Sequence, residues 1–374
     1  MIFTLLMAAT TLAITWIMAQ TPSLASPSTP LGVRVPKAYL SDPAVTSALA
    51  GFKVRTWTCG IAATALSLFA WKLPLLAAIP SLMVALGGMW AYFSQRRRII
   101  AAKKAGRWFD EVETTIAARI STKALDSTEF RGIPTPTFPW VTMLASLLCI
   151  AAGVIIVASH WSDIPDPLPV HWNGAMEADS WSEKNIGNVF FSSFVALGML
   201  GLFAIICSFI ALNEASPRSE RSVKARLRND ANLAVTNTGM GVLALLMSVG
   251  MAVMQVTGPV PQFQQFNGAA IIAMLILTIG GCIGLVALLL YKQSQLTEQL
   301  RGIRFPDEDK ESPDNDHLYK WGVIYYNPED PAVLVDKRFG TGMSFNFARW
   351  QAKAFLAITL VILVGAITLP FILS

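Results

Sequence analysis

The sequence predicts an all-α membrane protein of about eight transmembrane helices, N-out and C-out, with a small cytoplasmic β-hairpin element before the last helix. Three observations carry that expectation. The chain is 53% hydrophobic and only 14% charged, against about 25% charged in an ordinary soluble domain, and its mean hydropathy is +0.50. The apolar residues gather in blocks near the ~20 residues that cross a ~30 Å hydrocarbon layer as a helix. The basic residues fall almost wholly in alternate loops.

In chain order the blocks are Ile2–Ala19, Thr56–Trp71, Leu75–Ser94, Phe138–Ser159, Gly187–Leu212, Leu233–Gln255, Gly268–Tyr291 and Ala354–Leu373. Lys72 and Pro74 separate the second from the third and read as a tight hairpin. Residues 1–25 lack the basic start of a signal peptide, and their apolar run is long for one. The first block therefore reads as an uncleaved helix. With Met1 outside, loops 20–55, 95–137, 213–232 and 292–353 lie inside and hold 27 of the 29 Lys and Arg residues. Cytoplasmic loops carry that excess, so helix count and orientation support one another. The net charge of +5 then meets anionic headgroups of the inner leaflet, and no direct nucleic-acid partner is expected. The multi-pass chain is expected in the bacterial inner membrane, with the lipid bilayer as its first partner.

No Asp, Glu, Lys, Arg or His lies within any block. Ion-coupled pumps place ionisable groups at membrane depth because charge movement needs them there, so the blocks weigh against such a transporter. Asn237 reads as an interhelical hydrogen-bonding residue. "GGCIG" (Gly280–Gly284) reads as a close helix contact through glycines four apart. The four cysteines sit inside blocks, without metal-ligand spacing or a disulfide framework. The organisation is thus a first helix and cytoplasmic segment (1–55), a transmembrane hairpin with a basic loop (56–137), a pair of helices around an outer loop (138–212), helices six and seven (213–291), and a cytoplasmic hairpin with the last helix (292–374).

Three inner segments carry signals. In "TPLGVRVPKAYLSDPAV" (Thr29–Val45) an extended run precedes a helix start, with Ser41 or Asp42 as cap and Pro43 in the first turn. Arg34 and Lys37 are expected at lipid phosphates. Residues 112–120 fit helix and strand patterns alike, with β-branched residues favouring the strand. "RFPDEDKESPDNDH" (Arg304–His317) is acidic and expected to be mobile. After it, "KWGVIYYNPEDPAVLVDKRFGTG" reads as strand (Val323–Tyr326), an "NPED" turn and strand (Val333–Asp336). Candidate contact residues on this inner hairpin are Trp321, Tyr326, Asn327, Arg338, Gly340, Gly342 and Asn346, facing a cytoplasmic regulatory protein.

The outer loop, Ser159–Ile186, is the densest cluster of chemistry. Pro165, Pro167 and Pro169 forbid a helix and impose a stiff extended arm, and Asn173-Gly174 signals a turn. Trp172 and Trp181 suit the headgroup level or the mouth of the bundle. One reading of the loop is structural, a rigid cap in which His171, Asp166 and Asp179 pair with backbone groups; the other is a recognition surface, with Asp166, His171, Asn173, Glu177, Asp179 and Lys184 as the candidate residues. His171 could pair with the acids or with His160 as an acid–base or metal site. The spacing is not that of a metal motif, and no catalytic residue, metal ligand or cofactor is assigned.

"PDPLPVHWNGAMEADSWSEK" resembles the signature of SdpI-like bacterial integral membrane proteins, which share an extracytoplasmic loop domain of unknown function. The match runs through Pro165, Asp166, Pro169, His171, Asn173, Asp179 and Lys184, while Ala175-Met176 stands where that family often has Gly. "WGVIYYNPEDPAVLVDKRFGTGMSFNFA" is similar to a second, C-terminal domain of unknown function in longer relatives, and "LGVRVP" is similar to a motif after their first helix. The resemblance implies a bacterial membrane protein. It raises sensing of, or resistance to, an extracellular peptide, toxin or envelope stress, an immunity-like role held by a shorter relative. A membrane enzyme with an outward His/acid site and a transporter of a neutral or lipidic solute stay open as alternatives.

Overall fold

The computed structural model describes residues 2–69, 79–110, 135–172, 178–212, 223–301, 314–340 and 342–360. The Lys72–Pro74 turn, the 112–120 strand and most of the last apolar block lie outside them. Helices dominate: α1 (Ile2–Leu24), α2 (Pro43–Ser67), α3 (Ile79–Ala105), α4 (Trp140–Ser159), the short α5 (Ile186–Val189), α6 (Phe191–Leu212), α7 (Val223–Thr257), α8 (Asn267–Gln299) and α9 (350–360). Among the described residues five helices are long and apolar enough to cross a membrane: Thr4–Leu24, Trp140–Ser159, Phe191–Ala211, Leu227–Thr257 and Pro261–Gln299. This is the architecture of a multi-pass membrane protein. The second and third blocks fall in α2 and α3, which run on into charged turns containing Lys53 and Arg55, and Arg96, Arg97 and Arg98.

Each helix has a local cause. Asp42 caps α2 by accepting from the Ala44 N–H at 2.7 Å, with Pro43 in the first turn, as the sequence predicts. In α4 the buried residues are Met143, Ser146, Ile150, Gly153 and Val157, a helical stripe facing α7. A Cβ on Gly153 would lie 3.2–3.3 Å from Ala252, so the missing side chain sets that close approach. The opposite face of α4 is bare, with Val141 83% exposed, a surface that only lipid makes inexpensive. Asn237 is buried and donates to the Cys207 carbonyl of α6 at 3.2 Å and to the Thr137 carbonyl at 2.8 Å, the interhelical role expected of it. The GGCIG expectation needs correction. Gly281, not Gly280 or Gly284, receives a neighbour, the side chain of Leu243.

α7 and α8 hold 35 and 33 residues, about 52 and 50 Å of helix, well beyond a ~30 Å hydrocarbon core. Their surplus lies at one end, where Leu227 and Ala231 pack on Leu296 and Leu300. At the same end α1 finishes, and α2 and α3 enclose the segment Leu31–Val35, which leaves a tight Pro30–Gly32 turn and runs extended from Val33. Leu31, Val33 and Val35 are buried there with Phe52, Tyr92 and Ile99. The other end of α7 carries the 160–186 segment.

Among the described residues the β structure consists of three two-stranded antiparallel ladders: β1 (Leu168–Trp172) with β2 (Ala178–Ser182), β3 (Tyr319–Lys320) with β4 (Ile324–Tyr325), and β5 (Leu334–Asp336) with β6 (Met343–Phe345). This corrects the single inner hairpin. "NPED" does not join two paired strands. Ile324–Tyr325 folds back on Tyr319–Lys320 through the Trp321-Gly322 turn, whose φ angles are +56° and +79°. Leu334–Asp336 pairs forward, across the Gly340-Gly342 turn.

Candidate functional sites at the two ends of the bundle

At one end, Pro169 to His171 and Ser180 to Trp181 run antiparallel over the mouth of the helices. The base of this hairpin is tied down. Ile164 and Leu168 bury against Val157, Val189 and Val260. The Asp166 carboxylate accepts from the Lys184 N–H at 3.1 Å, and Lys184 Nζ donates to the Ile164 carbonyl at 2.9 Å while lying 5.2 Å from the Trp161 ring centroid. The Asp166–Pro167 peptide bond is cis. The Trp172 indole lies against Gly258 at the end of α7. Asp166, Lys184 and Trp172 therefore build the platform.

The tip differs. His171 Nδ1 donates to Asp179 Oδ1 at 2.5 Å across the ladder, with the two side chains 67% and 43% exposed. Val170 and Trp181 are exposed on the same hairpin. Asn173 and Glu177 lie outside the described residues. His160 does not join His171. Its Nδ1 turns back to the Ile156 carbonyl at 2.9 Å and its ring meets Phe263. Among the described residues no group of three His, Cys, Asp or Glu side chains converges.

A residue that sequence reasoning missed sets this platform on the helices. Gln255 is buried near the end of α7. Its Oε1 accepts from the Ser193 N–H at 3.0 Å and the Ser193 hydroxyl at 2.9 Å, and its Nε2 donates to the Val189 carbonyl at 2.6 Å. A lone Gln near the end of an apolar run was the available signal.

The opposite end centres on Asp316, which the sequence places in an acidic, mobile stretch. The structure corrects this for its final residues. Asp316 Oδ2 accepts from Lys103 Nζ at 2.7 Å, and Oδ1 accepts from the Arg34 N–H at 2.9 Å and from Arg338 at 2.6 Å. Asp314 pairs with the same Lys103 at 2.7 Å. The carboxylate thus gathers three segments that are far apart in the chain, and such charge-assisted bonds are short and strong. Arg34 directs its guanidinium to the Ser28 hydroxyl.

The predicted inner residues divide into scaffold and surface. Arg338 is buried over the Tyr319 ring, and its carbonyl accepts from the Thr29 hydroxyl at 3.0 Å. Asn346 is fully buried. Its Nδ2 donates to the Asn327 and Asp330 carbonyls at 2.9 and 3.0 Å, and its Oδ1 accepts from the Asn327 N–H at 3.1 Å. Arg349 Nε donates to the same Asp330 carbonyl at 2.9 Å. The 327–330 loop is thus held by side chains of the following segment. Gly340 and Gly342 have φ of +85° and +101°, the conformation for which glycine is used. Trp321 and Tyr326 remain on the surface. Trp321 offers its carbonyl to Tyr92 Oη at 3.2 Å. Gly32 fits the same contact tightly, because a Cβ there would lie 2.6 Å from the Gly322 carbonyl oxygen and 2.7 Å from Tyr92 Oη.

Two family models match parts of the chain. A domain of unknown function (DUF1648) covers residues 147–197, and a family of unknown function (DUF5808) covers residues 328–353. The first spans the C-terminal part of α4, the β1–β2 hairpin and the start of α6. The second spans the 327–330 loop, the β5–β6 ladder and the entry to α9. No curated protein and no solved structure matches the chain. The chain is a multi-pass membrane protein in which two segments, one toward each end of its helical bundle, match models of unknown function.

Proposed function

We propose that this protein recognises an extracellular membrane-active peptide through the β1–β2 hairpin, in an immunity-like or stress-sensing role at the bacterial cell membrane. In this reading the Asp316 end faces the cytoplasm and meets a regulatory protein through Trp321 and Tyr326. The basic residues around Asp316 and Arg228 favour that orientation, since cytoplasmic ends carry the Lys and Arg excess.

One observation carries the proposal. The hairpin divides its side chains, with Asp166, Lys184, Leu168 and Trp172 spent on the platform and the His171–Asp179 pair left exposed beside Val170 and Trp181. A hairpin that served only as a lid would have no need to present a hydrogen-bonded His–Asp pair and an indole to the outside. An aromatic beside a polar pair is the composition of a recognition surface. The resemblance of the loop to SdpI-like proteins points the same way.

The test is survival of a deletion strain against a panel of membrane-targeting peptides. Complementation by the wild type, and failure of an equally expressed His171→Ala/Asp179→Ala variant, supports the proposal. Equal protection by both removes the hairpin from the function. No protection by either ends the immunity reading.

A further inference from the structure

We propose that the β3–β4 turn seats the Trp321 indole in the lipid headgroup layer at the Asp316 end of the bundle, the inner leaflet in the orientation proposed above. Its depth is set by α3. Trp90 is 56% exposed on that helix, with the Arg55 guanidinium of α2 5.2 Å from its ring centroid. An exposed indole beside a snorkelling cation is the pairing found at a membrane interface. Arg96, Arg97 and Arg98 then open the basic stretch of α3. From Trp90 to Arg96 the helix rises about 9 Å, close to the ~5–8 Å that headgroups add on each side of the hydrocarbon. Tyr92 lies within that interval, and its Oη donates to the Trp321 carbonyl at 3.2 Å.

The first helix gives the same level. Gly88 of α3 faces the Met18 thioether of α1, and both helices run toward the Asp316 end. Tyr92, one turn beyond Gly88, therefore stands opposite the last residues of the candidate span Thr4–Leu24. The β3–β4 turn thus reaches back along α3 to the membrane boundary.

The turn is fixed while its indole is left outside. Gly322 is buried against Tyr92 Oη and the Arg96 side chain. Trp321 holds φ at +56°, a conformation that bulky residues rarely adopt, yet its side chain is 66% exposed. Trp321 gives its backbone to the fold and its side chain to something beyond it. A large apolar ring with one N–H donor suits the boundary between hydrocarbon and water. Val323 is exposed on the same turn, and Lys320, Arg97 and Arg98 are exposed nearby in the chain or on α3, where anionic headgroups attract basic side chains. The orientation proposed above supplies only the name of the leaflet, because indoles line both faces of a membrane. A regulatory protein that meets Trp321 would have to displace lipid from it.

The experiment places a photo-crosslinker in the full chain, as Trp321→benzoylphenylalanine or His317→benzoylphenylalanine, and irradiates cell membranes before purification and mass spectrometry. His317 is the control, because the adjacent Asp316 meets Lys103, about 16 Å beyond Tyr92 along α3. A phospholipid adduct at position 321 and none at 317 is the expected result. An adduct to another protein without lipid overturns the proposal and leaves Trp321 to the regulatory partner. Equal lipid adducts at both positions overturn it as well. Trp321→Phe keeps an aromatic ring in the turn and removes one of eleven indoles. In vesicles of phosphatidylethanolamine and phosphatidylglycerol brominated near the headgroup end of the acyl chains, this variant should lose the quenching of one indole. Unchanged quenching overturns the proposal even where the crosslinker variant fails to fold. Neither readout depends on peptide protection, so failure of the hairpin's function and failure of this inference are told apart.

Discussion

Lys103 Nζ lies 2.7 Å from Asp316 Oδ2, although 213 residues separate them in the chain. The pair is half of a hub, because the other carboxylate oxygen takes the Arg34 N–H and the Arg338 guanidinium. The side chains of Lys103 and Arg338 are 10% and 5% exposed. Asp316→Asn leaves Arg338 buried with a neutral partner and leaves Lys103 with Asp314 alone. Losing one member of a buried ion pair costs about 3–5 kcal/mol, and the partial exposure of Asp316 places the expected loss at the lower limit. Hydrogen exchange at Val33 and Val35 should accelerate by about two orders of magnitude, while exchange in α4 and α6 stays unchanged. Unaltered protection at Val33 would show that Leu31, Phe52 and Tyr92 hold the segment without the hub.

Gln255 makes a parallel case in an apolar setting. It bonds to Ser193 and to Val189, on the two sides of the junction between α5 and α6. Gln255→Leu keeps the volume and removes all three bonds. Side-chain bonds between helices in a membrane average ~0.6 kcal/mol with a ceiling near 2, so a loss of about 2 kcal/mol is expected for the three. The change should appear as a lower midpoint of thermal unfolding in detergent. It should also appear as faster exchange at Val189 and in β1–β2, because that junction carries the platform.

These two hubs mark where reading the sequence stops. The helices were legible because burial in lipid writes a long apolar run into the sequence, and Asp42-Pro43 marks a helix start wherever it stands. The His171 loop was legible because prolines and aromatics cannot be absorbed by a helix. Asp316 was not, since one acid in an acidic stretch gives no sign that Lys103, Arg34 and Arg338 converge on it. Such a site depends on tertiary placement of three segments, and local pattern does not encode it. The inner hairpin failed for a related reason. Asn327-Pro328 is a sound turn signal, but Asn346 and Arg349 hold that turn from a distance, and Gly322 supplies a nearer reversal that pairs β4 with β3 instead.

Tyr325 should report the integrity of the 314–349 segment. Burial pushes its phenol up to about 12, with the Asp330 carboxylate 3.1 Å away adding to the rise, against an ordinary value of 10. The folded state holds the proton more tightly than the unfolded one. This contribution is therefore fully present below pH 10 and is lost as pH rises through 12. Phenolate absorbance should show a late phase about two units above the exposed tyrosines, and Tyr325→Phe should reduce that phase by one tyrosine. A Tyr325 that titrates with the rest would mean that the Asn346-held loop opens in solution.

The His171–Asp179 pair provides the contrasting expectation, because its exposure separates function from stability. Both partners face solvent, and exposed pairs contribute ~0–1 kcal/mol. Their removal leaves no buried group unsatisfied, since Asp166, Lys184 and Trp172 hold the platform independently of the tip. His171→Ala and Asp179→Asn should therefore leave the thermal midpoint in detergent within about 1–2 °C of wild type, while the anchoring change Asp166→Ala lowers it. Midpoint and peptide protection measured on the same three variants divide the hairpin into its two parts. If His171→Ala lowers the midpoint as much as Asp166→Ala, the tip is scaffold, and any lost protection is explained by misfolding. If the midpoint holds and protection falls, the exposed pair acts on something outside the chain, and that outcome distinguishes a recognition surface from a rigid cap.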